Sequence, residues 1–358
     1  MKRSLLCSIA SLLALAGSAR AQESSWRHSG SLFVLTTPEG ADLPATASVE
    51  GFPLLVRLDK DWFDFSQARP DGADIRLFTA EGKPLPYQIE RWDAAEGTAA
   101  IWVRIPEIRG NARQEIKMHW GNPGAADVSD GKAVFNASNG YARVWHMDQP
   151  VTDEVDTLES NDIGTAGSAG IIGRARHFPG GKGVFCGDKI ENLPSGDAPH
   201  SSQAWFRPER INSTVLAWGN EQAQGKVVMQ FASPPHVRMD CYFSDGNVAS
   251  VGTLPRNQWL HVVHTYQQGD SRIYVNGALA GRGPTRGTPL SIPSPARLWI
   301  GGWYNNYNFT GDIDEVRISR VVRSADWVRL EYENQKPLQT LVGPIVRQAP
   351  PCRSRLTG

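Results

Sequence analysis

Apolar and polar positions alternate with a period of two along most of this chain, in short runs separated by turn formers. In the first half, segments 52–58, 74–78, 87–92, 99–105 and 115–120 show that alternation or a β-branched and aromatic bias, which predicts five strands. Between them lie Asp71-Gly72, Glu81-Gly82, Glu96-Gly97, Arg109-Gly110-Asn111 and Gly121-Asn122-Pro123, at the spacing of an antiparallel sandwich. The second half predicts eight more strands, at 203–207, 214–218, 227–231, 237–243, 259–266, 272–275, 297–300 and 311–318. Asn276-Gly277 after Val275 is the strongest hairpin signal in the chain. One helix is expected over 325–334, with Ser324 as N-cap and Asp326 in the first turn, where the helix dipole favours an anion. The fold class that follows is all-β, with two antiparallel sandwich domains.

Lys2 and Arg3 precede an apolar run at 5–16, and Ala19-Arg20-Ala21 supplies a small-x-small cleavage site, so residues 1–21 read as a signal peptide. That run is too short for a membrane anchor, and no later window approaches the roughly 18 apolar residues a spanning helix needs. Cys7, with Leu6 before it and most of the apolar run after it, does not fit a lipid-attachment site. An exported soluble protein is expected, in the periplasm, at the cell surface or secreted. Removing residues 1–21 takes away three basic residues and no acid from a balance of 37 and 37. A near-neutral chain without a basic stripe argues against nucleic acid or anionic lipid as partner.

The length left after cleavage exceeds what one core usually serves, so two domains are expected. Residues 148–170 turn acidic, Gly/Ser-rich and poor in large apolar side chains, which places the junction near 150 and gives domains at 22–150 and 151–340. The Pro- and Arg-rich residues 341–358 are expected to be a disordered tail. Of the cysteines beyond the signal segment, Cys186, Cys241 and Cys352, the first two are the favoured disulfide pair in an oxidising compartment; two small buried hydrophobes are the alternative.

Ala204-Trp-Phe206, Gln258-Trp-Leu-His-Val-Val263 followed by Arg272-Ile-Tyr-Val-Asn-Gly277, and Gly311-Asp-Ile-Asp-Glu-Val-Arg-Ile318 with a closing helix occur in that order. In these signatures the second half resembles the laminin-G-like branch of the concanavalin A-like lectin/glucanase superfamily. The first half, through Asp71-Gly-Ala-Asp-Ile-Arg76, Pro86-Tyr-Gln-Ile-Glu-Arg-Trp92, Ile101-Trp-Val-Arg-Ile-Pro106, Trp120-Gly-Asn-Pro-Gly124 and Val144-Trp-His-Met-Asp148, resembles a bacterial and archaeal domain of unknown function that often precedes such a module. The resemblance implies a C-terminal jelly roll behind a smaller sandwich, in exported envelope proteins. Some relatives accompany proton-channel subunits of the MotA/TolQ/ExbB type. This sequence shows no channel helices, so that role would be a partner's.

A glucanase of this superfamily needs two carboxylates flanking the glycosidic bond, roughly 5 Å apart for retention. Asp312 and Asp314 share a strand face, yet their segment matches the closing strand rather than the catalytic one, and a Glu-x-Asp-x-x-Glu signature is absent. No Gly-x-Ser-x-Gly elbow occurs, and the odd separation of His261 and His264 puts them on opposite strand faces. No catalytic residue is therefore assigned. Jelly-roll lectins often hold calcium at the sandwich edge, and the resemblance makes Asp314 its side-chain ligand. The usual Phe-Asp-Gly is here Phe178-Pro-Gly180, which removes an oxygen donor. In the loop 303–309, aromatic and amide residues interleave as a sugar's apolar faces and hydroxyls would require, so Trp303, Tyr304 and Tyr307 are the candidate ligand contacts, while Phe309 is expected to plug the core. Trp145-His146-Met147-Asp148 is expected to be a final strand fixing the domain interface, and Trp92 and Trp102 to be core. The expected function is non-catalytic binding of a glycan or an envelope protein; a polysaccharide hydrolase or lyase and a structural partner of a transport complex are the alternatives.

Overall fold

A computed structural model describes residues 26–347 apart from 157, 284, 286 and 305. The signal segment, Cys7, Cys352 and the last eleven residues lie outside the described residues.

Two antiparallel sheets form the first sandwich. One runs Val346–Arg347, His28–Leu35, Arg113–Trp120, Arg76–Thr79, and the other Ser48–Asp59, Thr98–Arg109, Tyr87–Asp93. All five strands expected in this half are present, and His28–Leu35, a strand the periodicity did not mark, pairs along its whole length with Arg113–Trp120. Leu54, Val56, Ile101, Val103, Met118 and Trp120 fill the core between the sheets.

The second sandwich packs two larger sheets around Phe178, Phe206, Trp218, Met229 and Ile300. One has seven strands, from Val248–Ala249 to Asn161–Ile163; the other has eight, with Thr310–Ser319 near its middle. Phe309 is the expected core plug, edge-on to Phe178 and Phe206. Asn276 and Gly277 both hold left-handed φ, as a tight hairpin requires, between the strands Asp270–Val275 and Ala278–Arg282. The strand expected over 237–243 stops at Asp240, and residues 241–243 form a turn instead.

The two sandwiches are interlocked. The interface strand expected over 145–148 lies earlier: Tyr141–Trp145 pairs with Thr310–Ser319 in the second sandwich's sheet, and residues 146–148 follow it outside any strand. The helix Ala325–Gln335, capped by Ser324 Oγ accepting from the Trp327 amide at 3.1 Å, lies between the domains. Val328 packs on Val263 and Tyr274 of the eight-stranded sheet, while Trp327 meets Phe52 of the first core. Asn334 brackets the Leu55 backbone with two hydrogen bonds, and Arg57 donates to the Asn334 and Gln335 carbonyls at the helix's negative end.

The expectation of a disordered tail from 341 is corrected for its first seven residues. Leu341, Val342 and Ile345 are buried in the first core, the Leu35 amide donates to the Leu341 carbonyl, and Val346–Arg347 adds a strand beside His28–Leu35. Three apolar side chains in a Pro-rich stretch suffice to dock it. The disulfide expectation is also corrected: Cys186 and Cys241 are separate free thiols buried in the second core. Burial pushes the Cys186 thiol up to about 12 and raises Cys241 as well, so little thiolate forms at neutral pH. Alkylation of the native protein followed by peptide mapping should leave both unmodified, and labelling of both should appear only on unfolding.

Candidate functional site

The residues singled out by sequence fall in two places. The first is the outward face of the seven-stranded sheet. In the strand Ala296–Ile300, Ala296, Leu298 and Ile300 point into the core, so Arg297 and Trp299 face out. Trp299 pairs with Phe185 on one neighbouring strand and Ala217 on the other, giving an apolar row across the sheet. The loop beyond Ile300 folds back over that row through a Trp303–Asn306 bridge. Tyr304 stacks on Trp299 at 5.0 Å and 30°, and Trp303 meets the same ring edge-on at 5.1 Å.

Polar groups frame these rings. Trp303 Nε1 donates to Glu221, the Glu221 amide donates to the Tyr304 hydroxyl at 3.0 Å, and the Arg297 guanidinium sits 5.0 Å from the Tyr304 ring centre. The Lys226 ammonium lies 6.0 Å from the Trp303 ring and pairs with Glu221 at 3.1 Å and Asp240 at 3.5 Å. Trp303 and Tyr304 are half-buried. Tyr307 is not: it is buried against Gly183, where an added Cβ would collide with its ring, so it drops out of the candidate contacts. Glu221 and Lys226 were missed because they lie on a distant hairpin that only the fold brings under the loop.

The second place is the domain interface, and it changes the reading of Asp314. Strand Thr310–Ser319 carries a β-bulge, where Glu315 and Val316 together oppose Ala204 and Glu315 takes a left-handed φ of 48°. The bulge keeps Ile313, Val316 and Ile318 in the second core while turning both Asp314 and Glu315 toward the first domain. Asp314 is fully buried. Its Oδ2 accepts from the Ile171 and Ile172 amides at 2.8 and 3.1 Å, and its Oδ1 from the Glu315 amide at 2.9 Å. Three backbone amides thus occupy both oxygens of Asp314, the arrangement of a strand anchor. Asp312, the other acid once paired with it, is held by Arg207 and His177.

Beside Asp314, Glu315 meets His146 and Glu90. His146 Nδ1 is 2.7 Å from Glu315 and 3.6 Å from Glu90, and its ring stacks on Trp102. Trp102 Nε1 donates to Glu90 at 2.6 Å. Glu315 also pairs with Arg317, which reaches Glu331 on the helix at 3.0 Å and lies over the Trp102 ring. His146 Nε2 is 3.2 Å from Gln88 Oε1, and the Gln88 amide nitrogen donates to Glu154. Both imidazole nitrogens thus face acceptors, which is the environment of an imidazolium. Burial opposes that charge, but Glu315 and Glu90 outweigh it and hold His146 up at about 9. Burial pushes Glu90 up to about 7, whereas His146 and Arg317 hold Glu315 below the usual carboxylate range against the same penalty.

Glu90, His146 and Glu315 are the one group among the described residues whose ligand atoms come within 4.8 Å of one another as a metal's would. Glu90 Oε2 and both Glu315 oxygens already meet Trp102, His146 and Arg317, and the Arg317 charge disfavours a dication at contact distance. The arrangement is an ion-paired lock between two domains. His261, expected to be an ordinary buried or surface histidine, is buried beneath the helix, where burial takes it down to about 3.

Family models match two stretches of the chain. Residues 180–329 match Laminin_G_3, of the concanavalin A-like lectin/glucanases superfamily, and residues 71–156 match a domain of unknown function, DUF2341. No curated protein matches the chain. Among solved structures, it is similar to domain 4 of AbnA, a GH43 extracellular arabinanase from Geobacillus stearothermophilus in complex with arabinotriose, at 19% identity over 53% of this chain and 97% of that one, with a TM-score of 0.43. The binding domain of Paraclostridial Mosquitocidal Protein 1 matches at 14% identity over 55% and 52%, TM-score 0.45. The ligand binding domain of Botulinum neurotoxin serotype D, in complex with N-acetylneuraminic acid, matches at 12% identity over 55% and 51%, TM-score 0.42. At such identities the likeness concerns the fold.

Proposed function

We propose, from the premise that this chain carries a concanavalin A-like lectin/glucanase domain behind a DUF2341 domain, that it is an exported, non-catalytic glycan-binding protein. The observation that carries this reading is the ring platform of Trp303 and Tyr304, braced on Trp299 and edged by Glu221, Lys226 and Arg297. Sugar rings offer an apolar face and a rim of hydroxyls, and a braced aromatic pair with charged and amide neighbours meets both needs with little ordering left to do on binding. The non-catalytic part of the reading is supported by the acids themselves. Glu90, Asp314, Glu315 and Glu331 are sealed between the domains and committed to hydrogen bonds or ion pairs, so none flanks an open groove as a glycosidase's acid and nucleophile must. Export rests on residues 1–21 alone.

Binding of the chain without residues 1–21 to a panel of polysaccharides, with and without a chelator, tests this directly. Trp303→Ala and Tyr304→Ala should each weaken binding to any hit by about tenfold or more, and the chelator should change nothing. A panel with no hit would remove the lectin reading. Release of sugar from any polymer, abolished by an acid-to-amide change, would remove the non-catalytic one.

A further inference from the structure

Tyr242 and Phe243 follow the strand His236–Asp240 at the far side of the same platform. Both have left-handed φ, 55° and 60°, a backbone region that bulky L-residues avoid. Cys241 just before them is fully buried, and the double turn leaves Tyr242 39% and Phe243 76% exposed. The interior gains nothing from a ring held there. A strained pair of aromatics presented to solvent points instead to a ligand.

Lys226 fixes what they present it to. Its ammonium is 5.5 Å from the Tyr242 ring centre and 6.0 Å from that of Trp303, so two aromatic surfaces flank one cation. Two carboxylates, Glu221 and Asp240, meet that cation, and the Arg297 guanidinium over Tyr304 offsets the second of them, so the site as a whole is polar with no formal net charge to satisfy. Aromatic surface, polar centre, aromatic surface is the sequence of contacts along a sugar chain, where apolar ring faces alternate with hydroxyl-bearing linkages.

Resting on the glycan reading above, we infer that Tyr242 and Phe243 form a second sugar subsite, and that the ligand is a chain of at least two neutral sugar residues spanning Lys226. One residue lies on Trp303 and Tyr304, the next on Tyr242 and Phe243, and the hydroxyls between them meet Glu221, whose side chain is 44% exposed.

The probes are arabinan-, xylan- and cellulose-derived saccharides of one, two and four residues, titrated calorimetrically into the chain without residues 1–21. In the series that binds, the disaccharide should bind about tenfold tighter than the monosaccharide. Phe243→Ala should erase that gain and leave monosaccharide affinity unchanged, whereas Trp303→Ala should weaken every length. Phe243 is so exposed that Phe243→Ala should melt with the parent protein, and Phe243→Trp should keep the gain. Oligosaccharide binding that ignores Phe243→Ala, or equal affinity for one and two residues, overturns the second subsite while leaving the Trp303 reading intact. Failure of all three series, with no hit on the wider polysaccharide panel, sinks both.

Discussion

Arg317→Met is expected to destabilise the protein by about 3–5 kcal/mol, because it removes one partner from a buried ion pair and leaves the other charge stranded. Arg317 is fully buried, bonded to Glu315 on one side and Glu331 on the other, with its guanidinium over Trp102 and Phe135. Methionine fills similar space and takes none of those bonds. Glu331 keeps the Gln203 amide at 2.8 Å, but Glu315 keeps only His146. Adding Glu315→Gln should therefore recover part of the loss, and the double-mutant cycle should show a coupling of about 1–3 kcal/mol. Urea unfolding followed by tryptophan fluorescence measures both. A cost below about 1 kcal/mol for Arg317→Met would show that the network does not hold the domains together.

Much of this architecture was legible because sheet periodicity is local. Thirteen strand segments, the Asn276-Gly277 hairpin and the Ser324-capped helix each announce themselves within a few residues. What failed to show was non-local. Residues 341–347 read as tail because their apolar side chains lack a period, and only the first domain's open edge gives them a place. Tyr307 looked equal to Trp303 and Tyr304 in an aromatic loop, but the turn back through Asn306 sends it inward. The interface lock had a readable trace: in Ile313-Asp314-Glu315-Val316-Arg317-Ile318 the apolar residues stand three apart and then two. That break in period two marks the bulge that brings Glu315 to the face of Asp314. Its partners Glu90 and His146 carry no such mark, since a lone acid in one strand and a histidine after another become a pair only when two sheets meet.

That meeting also makes stability depend on pH on the alkaline side. His146 is held up at about 9 in the folded protein against an ordinary value near 6.5, so its contribution is complete below about pH 6.5 and is lost as pH rises toward 9. Within that window the native state binds one more proton than the unfolded chain, and unfolding free energy should fall with a slope approaching about 1.4 kcal/mol per pH unit. The groups facing the imidazole fix the sign: Glu315 and Glu90 from one side, Gln88 backed by Glu154 from the other, and Trp102 on its face. Glu90, pushed up to about 7 by burial, adds a loss of the same sign between its ordinary value and 7. Glu315 acts oppositely, since its lowered pKa gives stability that disappears only on the acid side. Urea midpoints from pH 6 to 9.5 should decline for the natural protein, and His146→Gln, which keeps hydrogen-bonding capacity but cannot titrate, should be less stable at pH 6 and decline less steeply from pH 6 to 9.5 than the natural protein, with Glu90 and Asp314 left to titrate. A natural protein equally stable at pH 6.5 and 9 would mean that the buried imidazole carries no charge, and the interface would then rest on the strand pairing of 141–145, the helix and the Arg317 ion pairs without it.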